Sequence, residues 1–296
     1  AGTDLAFNEP VALAGRLVVA ANAGTVAISD PLDCAATAEF FVNATGVTQV
    51  NMFDVISGIA LKKTGPGRMV ITGAKTKTLS EGFTIDEGSI VVTGTSGVIA
   101  LPGDTTVGVD PARPATLELR QRRVTEAKSR LIVNGGNVVF QSPEIAFAGV
   151  TLTGGTITTD GSGFALNGPL EVLPSPVSSV LSGNITLPAG LSAWSVADGP
   201  AADDLRVDAL LKEAVLTDAS LRLAGAGRSV FTANNSIDGV TVTSGSVAWH
   251  GASPNTSLLV TGGSIASNGT LESVEIRDGA LAPGASPGRL TVARLD

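Results

Sequence analysis

The chain has 296 residues, 36 of them Gly, with nine Phe, two Trp and no Tyr, and it carries a net charge of −8. That charge excludes a nucleic-acid phosphate backbone and an anionic membrane as natural partners. The single cysteine, Cys34, excludes an internal disulfide and a cysteine-type zinc site, and the single histidine, His250, excludes a multi-histidine metal site.

In chain order, Ala1-Gly-Thr-Asp suits a mature N-terminus left by a signal peptidase, and equally an arbitrary boundary. Cys34 is expected to be a small buried hydrophobe. Residues 1–58 are expected to form N-terminal coils that act as a cap or an assembly segment. The clearest repeat spans 59–95. There Gly65-Pro-Gly67 is followed by a short apolar strand, and Gly82, Gly88 and Gly94 then recur at intervals of six with alternating apolar residues between them. The same frame returns ungapped as Gly149, Gly155 and Gly161 within 131–161, and as Gly239, Gly245 and Gly251 within 223–251. A looser copy carries Gly279 and Gly284 within 258–294, ahead of Gly288. Related strands precede the copies, the nearest relative of Gly65-Pro-Gly67 being Gly225-Ala-Gly227.

Strands of four or five residues that alternate inward and outward, with Gly at the corners, cannot bury an apolar face singly but can when stacked. The sequence therefore predicts an all-β fold, a single right-handed parallel β-helix (β-solenoid) over 1–296. At roughly 20 to 25 residues per coil it has roughly 12–14 coils. Two stretches break the pattern. Pro111–Leu131 is basic (Arg113, Arg120, Arg122, Arg123, Lys128, Arg130) and Ala201–Leu216 is acidic (Asp203, Asp204, Asp208, Glu213). Each is read either as strands with charged outer faces or as a short helical excursion, and their charge contrast suggests a contact between neighbouring molecules, against the plainer reading of solvated faces.

A residue-by-residue search for chemistry leaves little. Asp203-Asp204 and His250-Gly251 echo the acid–base set of inverting polysaccharide hydrolases, but Trp249 stands where a Gly is needed and no Arg-x-Lys follows. Repeat alignment sets His250 opposite Thr93 and Asp160 at a polar corner. Asp198, Asp203, Asp204 and Asp208 can gather a cation only if the chain folds back on itself there; solvated carboxylates are the simpler expectation. Trp194 and Trp249 are expected in the core rather than against sugar. No catalytic residue, metal ligand or cofactor is predicted.

Ile56-Ser-Gly58, then Leu61-Lys-Lys-Thr-Gly65-Pro-Gly67-Arg-Met-Val-Ile-Thr-Gly73 and the glycine frame to Gly94, resembles the passenger-associated strand repeat of bacterial autotransporters. The segment Gly279-Ala-Leu-Ala-Pro-Gly284-Ala-Ser-Pro-Gly288 resembles the closing segment of the same group. The resemblance implies a secreted right-handed β-helix at a bacterial cell surface, used for adhesion, matrix or display. It departs from that family in lacking a C-terminal membrane barrel within this sequence. The expected function is structural, as the subunit of a self-assembling surface filament, sheath or matrix. An adhesin passenger and a polysaccharide-degrading enzyme are the alternatives. The expected partner is another copy of the chain, added through Ala1–Leu17 or Gly288–Asp296, with host or matrix glycans as a further possibility.

Overall fold

The computed structural model describes residues 5–20, 25–43, 49–52, 56–72, 77–93, 103–110, 112–120, 124–125, 129–141, 145–160, 163–214, 218–282 and 290–295. It is all-β with no helix among these residues, and its parallel strands stack as a β-solenoid of about 11 turns. That is just under the twelve to fourteen that even coils predict. Coil length is uneven: hydrogen-bonded neighbours on adjacent rungs lie 26 residues apart at Asp104 and Arg130 but 18 apart at Asn235 and Ser253. The chain falls into two compact units, Ala1–Ala148 and Gly149–Asp296.

In the first unit one wall is built from Leu5–Phe7, Thr25–Ile28, Gln49–Met52, Arg68–Ile71, Gly88–Val92, Ala115–Leu119 and Asn137–Phe140, each parallel to the next. A second wall carries Leu32–Val42, Ile56–Thr64, Lys77–Ile85, Thr105–Val107 and Arg130–Asn134. The alternation read from the sequence sets the facing. In Ala115–Leu119 the first, third and fifth residues are buried and the others half-buried. Phe40, Leu61, Met69, Ile71, Phe83, Ile85, Leu117 and Phe140 are all buried. Each such side chain contributes about 1.5–3 kcal/mol. Charges track the outside from rung to rung. Arg16 pairs with Glu39 at 3.2 Å and lies 4.8 Å over the Phe41 ring, Lys62 pairs with Asp86 at 3.7 Å, and Arg113 sits 4.0 Å from Asp86. Exposed pairs like these favour the observed register more than they add stability.

The second unit repeats the plan. Thr156–Thr159, Ser179–Leu187, Leu205–Glu213, Arg228–Phe231, Ser246–Trp249, Ser264–Ser267 and Ala280–Ala282 pile up on one wall. Leu170–Val172, Gly190–Val196, Ala219–Ala224, Gly239–Val242, Ala252–Val260, Thr270–Ile276 and Thr291–Leu295 pile up on the other. Its interior holds an aromatic stack: Trp194 lies 6.3 Å from Phe231, which lies 4.7 Å from Trp249, all near-parallel. Such pairs add about 0.5–1.5 kcal/mol beyond their burial. Both indoles are buried as expected, and neither Nε1–H finds a protein acceptor. Tryptophan emission of the native chain is therefore expected to be blue-shifted and insensitive to iodide, moving red only on unfolding; iodide quenching of native protein would show that these rungs do not close.

Candidate functional site

The most elaborate polar arrangement surrounds Lys63. It is the penultimate residue of the wall strand Ile56–Thr64, close to the Gly65-Pro-Gly67 corner that turns the chain into Arg68–Ile71. Its position faces inward, so its stem fills core space and the ammonium must be met there. Nζ donates to the carbonyls of Thr64 (3.0 Å), Gly65 (2.5 Å) and, on the next rung, Glu87 (3.0 Å). The residue is fully buried. Burial pushes its pKa from 10.5 down to about 8, while the Glu87 charge pulls it back up. Gly88 completes the corner at φ +76°: a Cβ there would come within 2.6 Å of Gly65 O and 2.8 Å of Lys63 Nζ. A buried ammonium holding three backbone carbonyls across two rungs is a clamp that ties this corner to the next rung.

A buried carboxylate does the converse in the second unit. Asp204 Oδ1 accepts from the Gly199 amide and Oδ2 from the Arg228 amide, each at 2.8 Å, so it caps the corner that opens Arg228–Phe231. Asp204→Ala is expected to destabilise by about 1–3 kcal/mol, because two amides lose a charged acceptor; an unchanged denaturation midpoint would show that water replaces it.

The remaining acidic residues of this region are each engaged locally. Asp203 Oδ1 accepts from Arg228 Nε at 2.8 Å, and Asp208 pairs with Arg206 at 2.8 Å and accepts from Thr232 Oγ1 at 2.5 Å. Those partners hold the Asp208 carboxyl below its ordinary range against the opposing effect of burial. Glu213 is shifted the other way, raised by burial and by the neighbouring Asp238 and Asp218. In the basic segment, Arg120 pairs with Glu118 at 2.7 Å and Arg113 with Asp110 at 3.7 Å. Arg122, Arg123 and Lys128 lie outside the described residues. The described parts of both segments are strands and turns with charged outer faces; Arg113, Arg120, Asp203 and Asp208 are paired on the same chain, whereas Glu213 faces the like charges of Asp238 and Asp218.

His250 follows the strand Ser246–Trp249 at the polar corner that repeat alignment assigns to it. It is exposed, and its Nδ1 lies 2.6 Å from Asn268 Oδ1 on the next rung. Asp208, Thr232, His250 and Asn268 thus follow one another along consecutive rungs, tied through the backbone bonds Thr232 N to Val207 O, His250 N to Phe231 O and Asn268 N to Trp249 O. Among the described residues no three His, Cys, Asp or Glu side chains are grouped to hold a metal ion. Cys34 is fully buried, and burial followed by the Asp33 charge pushes its thiol up to about 11, which makes it a poor nucleophile.

The predicted turn glycines divide into three groups. Gly65, Gly88, Gly245 and Gly279 sit at corners with positive φ, and Gly67 lies between Gly65 and Arg68 with Val42 O 2.7 Å from where its Cβ would be. In the unit that follows, Gly245 packs on Gly225, Gly263 on Gly245 and Gly279 on Gly263, forming a column of glycine corners. The second group departs from the corner reading. Gly82 lies inside Lys77–Ile85, beside a register shift, where the Asp104 carbonyl crosses too closely for any side chain. Gly149 and Gly239 open strands in ordinary backbone conformations; Gly251 follows His250, also without positive φ, and is needed because the Ala233 carbonyl presses against it. At the Gly154-Gly155 pair it is Gly154, not Gly155, that takes the positive φ. Gly94, Gly161, Gly284 and Gly288 lie outside the described residues.

These features define a parallel β-solenoid, the class of protein to which the chain belongs. No protein-family model matches the chain, and no curated protein or solved structure matches it either.

Proposed function

We propose that the chain is an extracellular structural protein of a bacterial surface, a β-solenoid subunit of a self-assembling filament, sheath or matrix. The observation that supports this reading is the in-register parallel ladder running rung on rung through each unit, with glycine corners stacked in column and local charges neutralised by neighbours. Such a ladder is extended by any strand that meets it in register, so a second copy is the natural partner. The resemblance to autotransporter strand repeats at the Lys63 and Gly65 corner supports a secreted setting. Sedimentation of the purified chain over rising concentration tests it. Growing oligomers are expected, and a monomer that persists at the highest concentration opposes it.

An adhesin passenger is the second reading. It is favoured by the outward row of Asp208, Thr232, His250 and Asn268, whose hydrogen-bonding groups suit a glycan more than an apolar partner. A monomer that binds matrix glycans, and loses binding on Asn268→Ala, would favour it over assembly.

A further inference from the structure

The Gly65 corner of the first unit has a close counterpart in the second at Gly225-Ala-Gly227. Gly67 N donates to Val42 O, and Gly227 N to Val196 O; Asp86 N donates to Lys63 O, and Thr243 N to Leu223 O; Ser89 N donates to Gly67 O, and Ser246 N to Gly227 O. Gly65 and Gly225 both take positive φ, and so do Gly88 and Gly245, at +76° and +78°. A Cβ on Gly88 would lie 2.6 Å from Gly65 O, and one on Gly245 would lie 2.6 Å from Gly225 O. Through these matches Leu223 occupies the place of Lys63, and the carbonyls of Ala224, Gly225 and Ser244 occupy the places of the three that the Lys63 ammonium holds.

Leu223 is buried like Lys63 but ends in methyl groups, so it brings no cation to the corner. No donor among the described residues reaches the carbonyls of Gly225 and Ser244. Two further features make the place electronegative. The buried Asp204 carboxylate flanks it, with Oδ2 2.8 Å from where a Gly227 Cβ would be, and it accepts from the backbone amides of Gly199 and Arg228. Ser244 Oγ lies beside it, accepting from Gly225 N at 2.9 Å. Gly225 is half-buried and Ser244 exposed, so an ion can reach the carbonyls from solvent.

We propose that the Gly225 corner binds a monovalent cation of ammonium size, potassium or ammonium itself, on the carbonyl oxygens of Ala224, Gly225 and Ser244. Backbone carbonyls at the distances seen around Lys63 Nζ suit such an ion, replacing part of its hydration shell. Calcium is disfavoured, because it needs six to eight oxygens including free carboxylates, and both Asp204 oxygens already serve amides.

The test is a carbonyl-13C NMR titration of the labelled 1–296 chain in choline chloride, exchanged at constant ionic strength for potassium, ammonium or lithium. The Gly225 and Ser244 resonances are expected to shift saturably with potassium and ammonium and not with lithium, while those of Gly65 and Glu87, already held by Lys63, stay in place. Leu223→Lys, which tethers an ammonium to the corner, is expected to abolish the potassium response. Equal responses at the two corners, equal responses to lithium, or a response that survives Leu223→Lys would each overturn the proposal. The comparison of the two corners within the wild-type chain decides the matter even where the variant does not fold.

Discussion

Gly82→Val is expected to lower the unfolding free energy by about 3 kcal/mol or more. Two effects combine. Gly82 holds φ +84°, where an L-residue costs about 1–2 kcal/mol, and a β-branched one is an outlier. Its Cβ would also run into the backbone of Asp104 and Gly103 on the next rung, and forcing packed backbone apart costs about 1–3 kcal/mol more. The obstacle is backbone, so it cannot move aside as a flexible side chain would. Gly239→Val is the matched control, since Gly239 has ordinary φ and its nearest neighbour is 3.4 Å from the added Cβ. Urea denaturation of the two variants should separate them clearly. Equal midpoints would mean that the rung at Gly82 is not packed as described.

Lys63→Met is expected to cost about 2–4 kcal/mol, because the aliphatic stem is kept while three carbonyls lose a charged donor. Its pH dependence has a definite sign. The unfolded lysine holds its proton up to its ordinary value of 10.5, whereas the folded one releases it near 8. Between those values the unfolded chain binds more protons at this site, so the Lys63 contribution to stability rises with pH from about 8 to 10.5. Below 8 both states are protonated and this contribution is flat. Above 9 the Cys34 thiol, held up to about 11 by burial, acts in the opposite sense in wild type and variant alike, so the Lys63 slope is read as the difference between the two proteins. A stability difference that stays constant from pH 8 to 10.5 would show that Lys63 is not clamped in its buried state.

The walls were legible because alternation in short segments such as Ala115–Leu119 maps directly onto inward and outward faces. The glycine frame was legible for the same reason: Gly88 and Gly245 stand at the same place on their coils, as the repeat alignment requires. What the sequence does not reveal are contacts that cross rungs. Lys63 reads as a surface residue by type, and the carbonyl of Glu87 that holds it is 24 residues away. The one available sign was the second lysine of Lys62-Lys63, separated from Gly65-Pro-Gly67 by Thr64 alone, at an inward parity. The role of Asp204 depends on the Arg228 amide, again 24 residues on. At the Gly154-Gly155 pair either residue satisfies the pattern, and only the path of the neighbouring rung selects Gly154. Asp203 and Asp204 looked alike in sequence, yet one pairs with a guanidinium at the surface and the other caps amides inside.

The central claim, that this solenoid is a building element which continues itself, is tested most directly by electron microscopy of the protein taken from its native source without denaturant. The account predicts long filaments or sheets with a regular repeat along the stacking direction, set by rungs about 4.8 Å apart. Isolated particles of single-chain size at every concentration would contradict it.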